Sequence, residues 1–107
     1  MAKFLVQVAY TPEAWAHLAK NPENRVPVVA KVVEGLGGTL EGGWMSFGDY
    51  DTVVLVELPD NVSAAAFAMS IAAGGACKSV NTTPLLSVEE GMAAMKKAGA
   101  AGYHPPA

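Results

Sequence analysis

The stretch Thr52-Val53-Val54-Leu55-Val56-Glu57-Leu58 lies between a turn cluster and a stop, and no other segment constrains the fold of this 107-residue chain as tightly. Gly48, Asp49, Tyr50 and Asp51 precede it, and Pro59-Asp60 ends it. The run is too short to cross a membrane and too β-branched for a helix, so it reads as a strand with apolar side chains on both faces. A sheet apolar on both faces needs a layer on each side. In a chain this small, one of those layers is expected to come from a second copy of the protein.

The rest of the chain supplies the partners for that strand. Phe4, Val6, Val8 and Tyr10 alternate with Leu5, Gln7 and Ala9, a period-two strand with one apolar and one mixed face. Thr11-Pro12-Glu13 is a helix start, with a hydroxyl cap, proline at the first helical position and an acid in the first turn. Asn21-Pro22-Glu23 reads as a second start of the same kind. The helix after it is expected to turn Val28, Val29, Val32, Val33 and Leu36 inward and to end at Gly37-Gly38. Pro27 either begins the main part of that helix or kinks its first turn. Thr39 to Phe47 reads as a strand weakened at Gly42-Gly43, where a bulge or a close backbone approach is expected.

After Leu58, Asp60 is the expected cap of a helix through Ala64, Phe67, Met69 and Ile71 to Gly74-Gly75. It is apolar nearly all round and is expected to be largely covered. Ala76 to Leu86 is a more polar strand whose Pro84 places its end at an edge or a bulge. Ser87-Val88-Glu89-Glu90 is a capping box opening a last helix through Met92 and Met95. Residues 1–98 form the expected domain and 99–107 a flexible tail. The element order is ferredoxin-like, βαββαβ with an added helix: α+β, with an antiparallel sheet carrying both main helices on one face. The open face invites a second copy, as a homodimer or a higher homo-oligomer.

Composition narrows the function classes. Half the residues are hydrophobic, 51%, and only 16% are charged. The net charge of −3, with seven scattered Lys and Arg residues, argues against a nucleic-acid partner, because phosphate binding needs a basic patch. Cys77 is the single cysteine, so no internal disulfide forms. The first residues lack a signal-peptide pattern and no stretch reaches transmembrane length, so a cytoplasmic location without membrane attachment is expected.

The motif Gly48-x-Tyr50-Asp51 followed by Val53-Val54-Leu55-Val56-Glu57 and Pro59-Asp60 resembles the GYD-domain proteins. Leu36-Gly37-Gly38-Thr39-Leu40 and Ala64-Ala65-Ala66-Phe67-Ala68 fit the same pattern, and the resemblance spans roughly residues 3 to 97. It implies a dimeric α/β barrel, in which two ferredoxin-like subunits close their sheets together. It implies no particular activity. The Arg-rich fourth strand associated with the family is absent here, where the segment reads Cys77-Lys78-Ser79-Val80-Asn81.

Several polar residues are candidates for chemistry, each with a plainer structural reading. Asp49, Tyr50 and Asp51 place two carboxylates beside a phenol, a set that could do acid–base work if one were buried; the alternative is that they build the turn. His17 could be a base or a metal or haem ligand, but no His or Cys stands at ligand spacing from it, and no metal motif or cofactor is indicated. Cys77 could be a nucleophile if a nearby cation lowered its pKa, or a small buried hydrophobe. Gln7, Trp15, Trp44, Tyr50 and Asn81 are the candidate ligand-binding residues, Gln7 and Asn81 because an amide within a strand needs a partner or a cavity. Two functions follow: an oligomer binding a small apolar molecule in a pocket between sheet and helices or at the subunit interface, or a cofactor-independent enzyme of monooxygenase or isomerase type using the same cavity.

Overall fold

In the computed structural model, which describes residues 1–106, the chain begins with strand β1 (Ala2–Tyr10) at the middle of the sheet. Helices α1 (Pro12–Lys20) and α2 (Val26–Gly35) follow, then strands β2 (Thr39–Met45) and β3 (Thr52–Leu58). Helix α3 (Asn61–Ala73), strand β4 (Cys77–Leu85) and helix α4 (Val88–Gly99) complete it. The strands lie in the order β2-β3-β1-β4 and every neighbouring pair is antiparallel. This is the ferredoxin-like arrangement, with α4 added.

Register decides which side chains meet. Phe4 stands opposite Val56 and Pro84, and Val6 opposite Val54 and Thr82. Because strand side chains alternate, Phe4, Val6 and Val8 join Val54, Val56 and Leu58 on the helix side. Val33 of α2 and Ala64 and Phe67 of α3 close over them. Burying a side chain such as Phe67 or Leu58 stabilises the fold by about 1.5–3 kcal/mol. On the other face Leu5, Val53 and Leu55 are half-buried by their neighbours in the sheet. The β3 run, apolar on both faces in sequence, is therefore fully covered on only one in the single chain.

Several local signals act as read from sequence. Thr11 caps α1 by accepting the Ala14 N–H, and Asp60 caps α3 by accepting the Ser63 N–H. Ser87 and Glu90 form the reciprocal box that opens α4. Gly37 ends the α2 segment at φ 84°. At Gly38 a Cβ would run into the carbonyl oxygen of Glu57, so a side chain is excluded there by backbone packing. The bulge falls at Glu41, between Leu40 and Gly42.

Four expectations need correction. Asn21-Pro22-Glu23 does not start a helix: Asn21 ends α1, with its backbone and side-chain N–H groups both donating to the His17 carbonyl. The start lies three residues later, where Asn24 Oδ1 accepts the Val26 N–H and Pro27 sits in the first turn. Strand β2 stops at Met45, and Phe47 is fully exposed beyond it. Of the α2 residues expected inside, only Val33 is buried, while Val28 and Val32 are exposed. Helix α3 buries only Ala64 and Phe67, leaving Val62 and Met69 in solvent, because no further layer lies above it.

Candidate functional site

The helix layer is filled at one end and empty at the other. At the filled end Phe4, Val56 and Leu58 meet Val33, Ala64 and Phe67. At the other end a cleft of about 960 Å³ lies over Val6, Val8 and Val54. Val28, Val29 and Val32 of α2 wall it on one side and Phe67 and Ile71 of α3 on the other. The cause is side-chain size. Here α2 presents valines to a sheet surface that is itself valine, and short branched side chains cannot span a helix–sheet gap that phenylalanine and leucine fill elsewhere. The volume is within the range of small-molecule sites, and the floor is apolar.

A few polar groups join the apolar lining of the cleft. Tyr10 and Thr52 join by their hydroxyls at 3.1 Å, and the Thr52 hydroxyl also donates to Met45 Sδ at 3.8 Å. Arg25 and Glu23 form an ion pair at 3.3 Å, with both side chains about half exposed (48% and 47%). A pair this exposed contributes little to stability. Cys77 lines the cleft near Arg25. Burial pushes its thiol above the ordinary value, Arg25 opposes this, and the Asp51 carboxylate adds to it. Burial thus favours the neutral thiol over the thiolate.

The turn residues do structural work. The Asp51 carboxylate accepts the Tyr10 N–H at 2.9 Å and the Trp15 indole N–H at 3.3 Å through the same oxygen, Oδ2. The Asp51 N–H donates to the Val8 carbonyl at 2.8 Å. One residue thus clamps the β2–β3 turn to the end of β1 and to α1. Trp15 stands edge-on to Tyr10, ring centroids 5.3 Å apart, so it packs beside the clamp. Tyr50 is half-buried and its carbonyl accepts the Ser46 hydroxyl, while Asp49 is exposed in the turn.

The remaining candidates lie elsewhere. Gln7 and Asn81 meet across β1 and β4, the Asn81 amide donating to Gln7 Oε1 at 3.5 Å, on the sheet face away from the helices. Each amide is the other's partner, outside the cleft. Trp44 borders the cleft through β2, but its register with Val53 turns the indole to the open face, where the ring lies over Gly42. His17 is exposed and borders a shallower hollow of about 460 Å³ with Thr11 and Glu13. Among the described residues no group of three or more His, Cys, Asp or Glu side chains comes together to hold a metal. No helix among them is long and apolar enough to cross a membrane.

The cleft walls were missed as a site because valines at helical spacing read as core. The usable signal was their uniform small size.

Residues 4–95 match the GYD domain, nearly the whole folded part of the chain. The chain belongs to the GYD domain family. In this chain the Gly48-x-Tyr50-Asp51 segment forms the Asp51 clamp and the turn that positions it. The fold is also similar to two crystal structures. TTHA0845 from Thermus thermophilus is 17% identical with a TM-score of 0.54, over 81% of this chain and 95% of that one. FFRP-DM1 is 15% identical with a TM-score of 0.51, over 80% of this chain and 100% of that one. At such identities the likeness is one of fold alone. No curated protein matches the chain.

Proposed function

We propose that this GYD-domain protein binds a small apolar molecule in the cleft between the sheet and helices α2 and α3, and that it works as a homo-oligomer. The observation that carries the binding reading is the cleft: an apolar floor of Val6, Val8 and Val54 under a gap that the protein's own side chains leave unfilled. The hydroxyls and the Arg25–Glu23 pair in its lining supply the few polar groups that orient a ligand. Binding is favoured over turnover because His17 and Asp49 are exposed away from the floor and burial favours the neutral Cys77 thiol over the thiolate.

The oligomer reading rests on the open sheet face. Leu5, Val53 and Leu55 form its apolar centre, Trp44 lies on it at β2, and Lys3 pairs with Glu41 at one end. A mixed face of this kind suits a second sheet of the same sequence.

The binding test is titration with 8-anilinonaphthalene-1-sulfonate, an apolar fluorescent probe, against wild type and Val28→Trp, whose indole would occupy the cleft. Saturable binding of one probe per chain that is lost in the variant is expected. Equal binding by the two proteins would refute the cleft as the site. Native mass spectrometry of the purified protein gives the subunit count, and a monomer would remove the oligomer reading.

A further inference from the structure

Helix α4 leaves the body of the molecule. None of its side chains is buried, and it makes no extended contact with any other element among the described residues. The molecule measures 56 × 36 × 21 Å with a radius of gyration of 17.0 Å, against roughly 13 Å for a compact chain of this length. Yet the helix is well specified, with a reciprocal capping box at its start, acids in its first turn and lysines in its last. It carries an apolar stripe: Val88, Met92 and Met95, spaced by four and three residues, are 77%, 55% and 72% exposed.

The charges beside the stripe state what covers it. Glu89 and Lys96 are seven residues apart, two turns, and so share one flank. Gly91, Ala94 and Ala98 make the other flank small. If two such helices met in parallel about a two-fold axis, opposite flanks would meet, and Glu89 and Lys96 of each would face the uncharged small flank of the other. If they met antiparallel about a two-fold axis, Met92 would meet Met95, and Glu89 of each would approach Lys96 of the other. The sequence is self-complementary in the second arrangement alone, with the small flank allowing close approach.

We infer that α4 is an assembly arm that pairs antiparallel with α4 of a second copy of this chain, through the Val88–Met92–Met95 stripe and two reciprocal Glu89–Lys96 contacts. At 12 residues, about 18 Å, the arm buries less than the roughly 1,000 Å² a stable interface needs. The inference therefore rests on the oligomer proposed above for most of the contact area, and the arm adds a second, separate contact with a fixed direction.

The test uses the full chain in sedimentation velocity over a concentration series. Glu89→Lys and Lys96→Glu each place like charges together twice while leaving the Ser87–Glu90 box intact. Each alone is expected to associate about tenfold more weakly, the size of two exposed attractive pairs made repulsive. An equimolar mixture of the two variants is expected to regain wild-type association. One copy then carries lysine at both positions and the other glutamate at both, so each contact across the pair is attractive again. A mixture no stronger than either variant alone overturns the inference. Leu55→Glu, on the open sheet face, separates the two readings. If it dissociates the protein while both α4 variants behave as wild type, the sheet interface stands and the arm falls. If the mixture rescues but Leu55→Glu changes nothing, the arm stands and the sheet interface falls. A wild type that stays monomeric throughout the series overturns both.

Discussion

The two ends of the helix layer are built on the same strands, yet one is a sealed core and the other a cleft. At the sealed end Phe4, Leu58 and Phe67 are large and interlock with Val33 and Val56. At the open end the floor under α2 is Val6, Val8 and Val54, and the α2 residues above it are valines as well. Hydrophobicity is the same at both ends; reach is not. Apolar character says that a surface avoids water, whereas side-chain length decides whether the protein itself or something else fills the space against it.

That contrast can be broken by experiment. Leu58→Ala strikes the sealed end and is expected to destabilise the protein by about 2–5 kcal/mol in denaturant unfolding, since the leucine is fully buried. Asp51→Ala removes the clamp at the edge of the open end and is expected to lose about 1–3 kcal/mol, as the part-buried Tyr10 N–H loses its acceptor. Val32→Ala, at the open end, is expected to cost less than about 1 kcal/mol by the same unfolding measurement, because the side chain is already 37% exposed. If Val32→Ala proves as damaging as Leu58→Ala, the cleft is closed in solution and the comparison fails.

The smallest expected effect is a pH response at the helix starts, remote from either end. The Ser63 N–H holds the Asp60 carboxyl below its ordinary 3.8, and the Ser87 N–H holds Glu90 below its ordinary 4.5. Groups with depressed values stabilise the fold fully above the unfolded values and lose that contribution as pH falls through the lower folded ones. Circular dichroism between pH 6 and pH 2 is expected to show α3 and α4 loosening only below about pH 4, with Asp60→Asn reducing the α3 part.

The fold was legible to the extent that it rests on local chemistry. Thr11, Asp60 and Ser87 cap as their types and spacing require, Gly37 ends its helix, and the Pro84 strand lies at an edge as read, while the bulge expected near Gly42-Gly43 falls one residue earlier, at Glu41. What local chemistry leaves open is which of two adequate signals wins. Asn21-Pro22-Glu23 and Pro27 both look like places for a helix to begin; Asn21 is taken by the end of α1, and Pro27 sits in the first turn with Asn24 accepting the Val26 N–H. Site assignments depend on tertiary register and were less legible. Gln7 and Asn81 look like cavity amides until their strands pair and each answers the other. Asp51 looks like a candidate acid or base until the turn is folded onto β1, where it holds the end of β1 and α1 together.

The bulge at Glu41 and the proline in β4 have a joint consequence for how copies of this protein can meet. They lie on β2 and β4, the two border strands. Each interrupts the regular ladder of N–H and C=O groups that an incoming strand would need, the bulge by displacing it and Pro84 by lacking an N–H. Growth by strand addition is therefore blocked at both borders. The apolar sheet face thus stays uncovered in the single chain without a regular ladder at either border to recruit a further strand, which lowers the hazard of edge-to-edge aggregation.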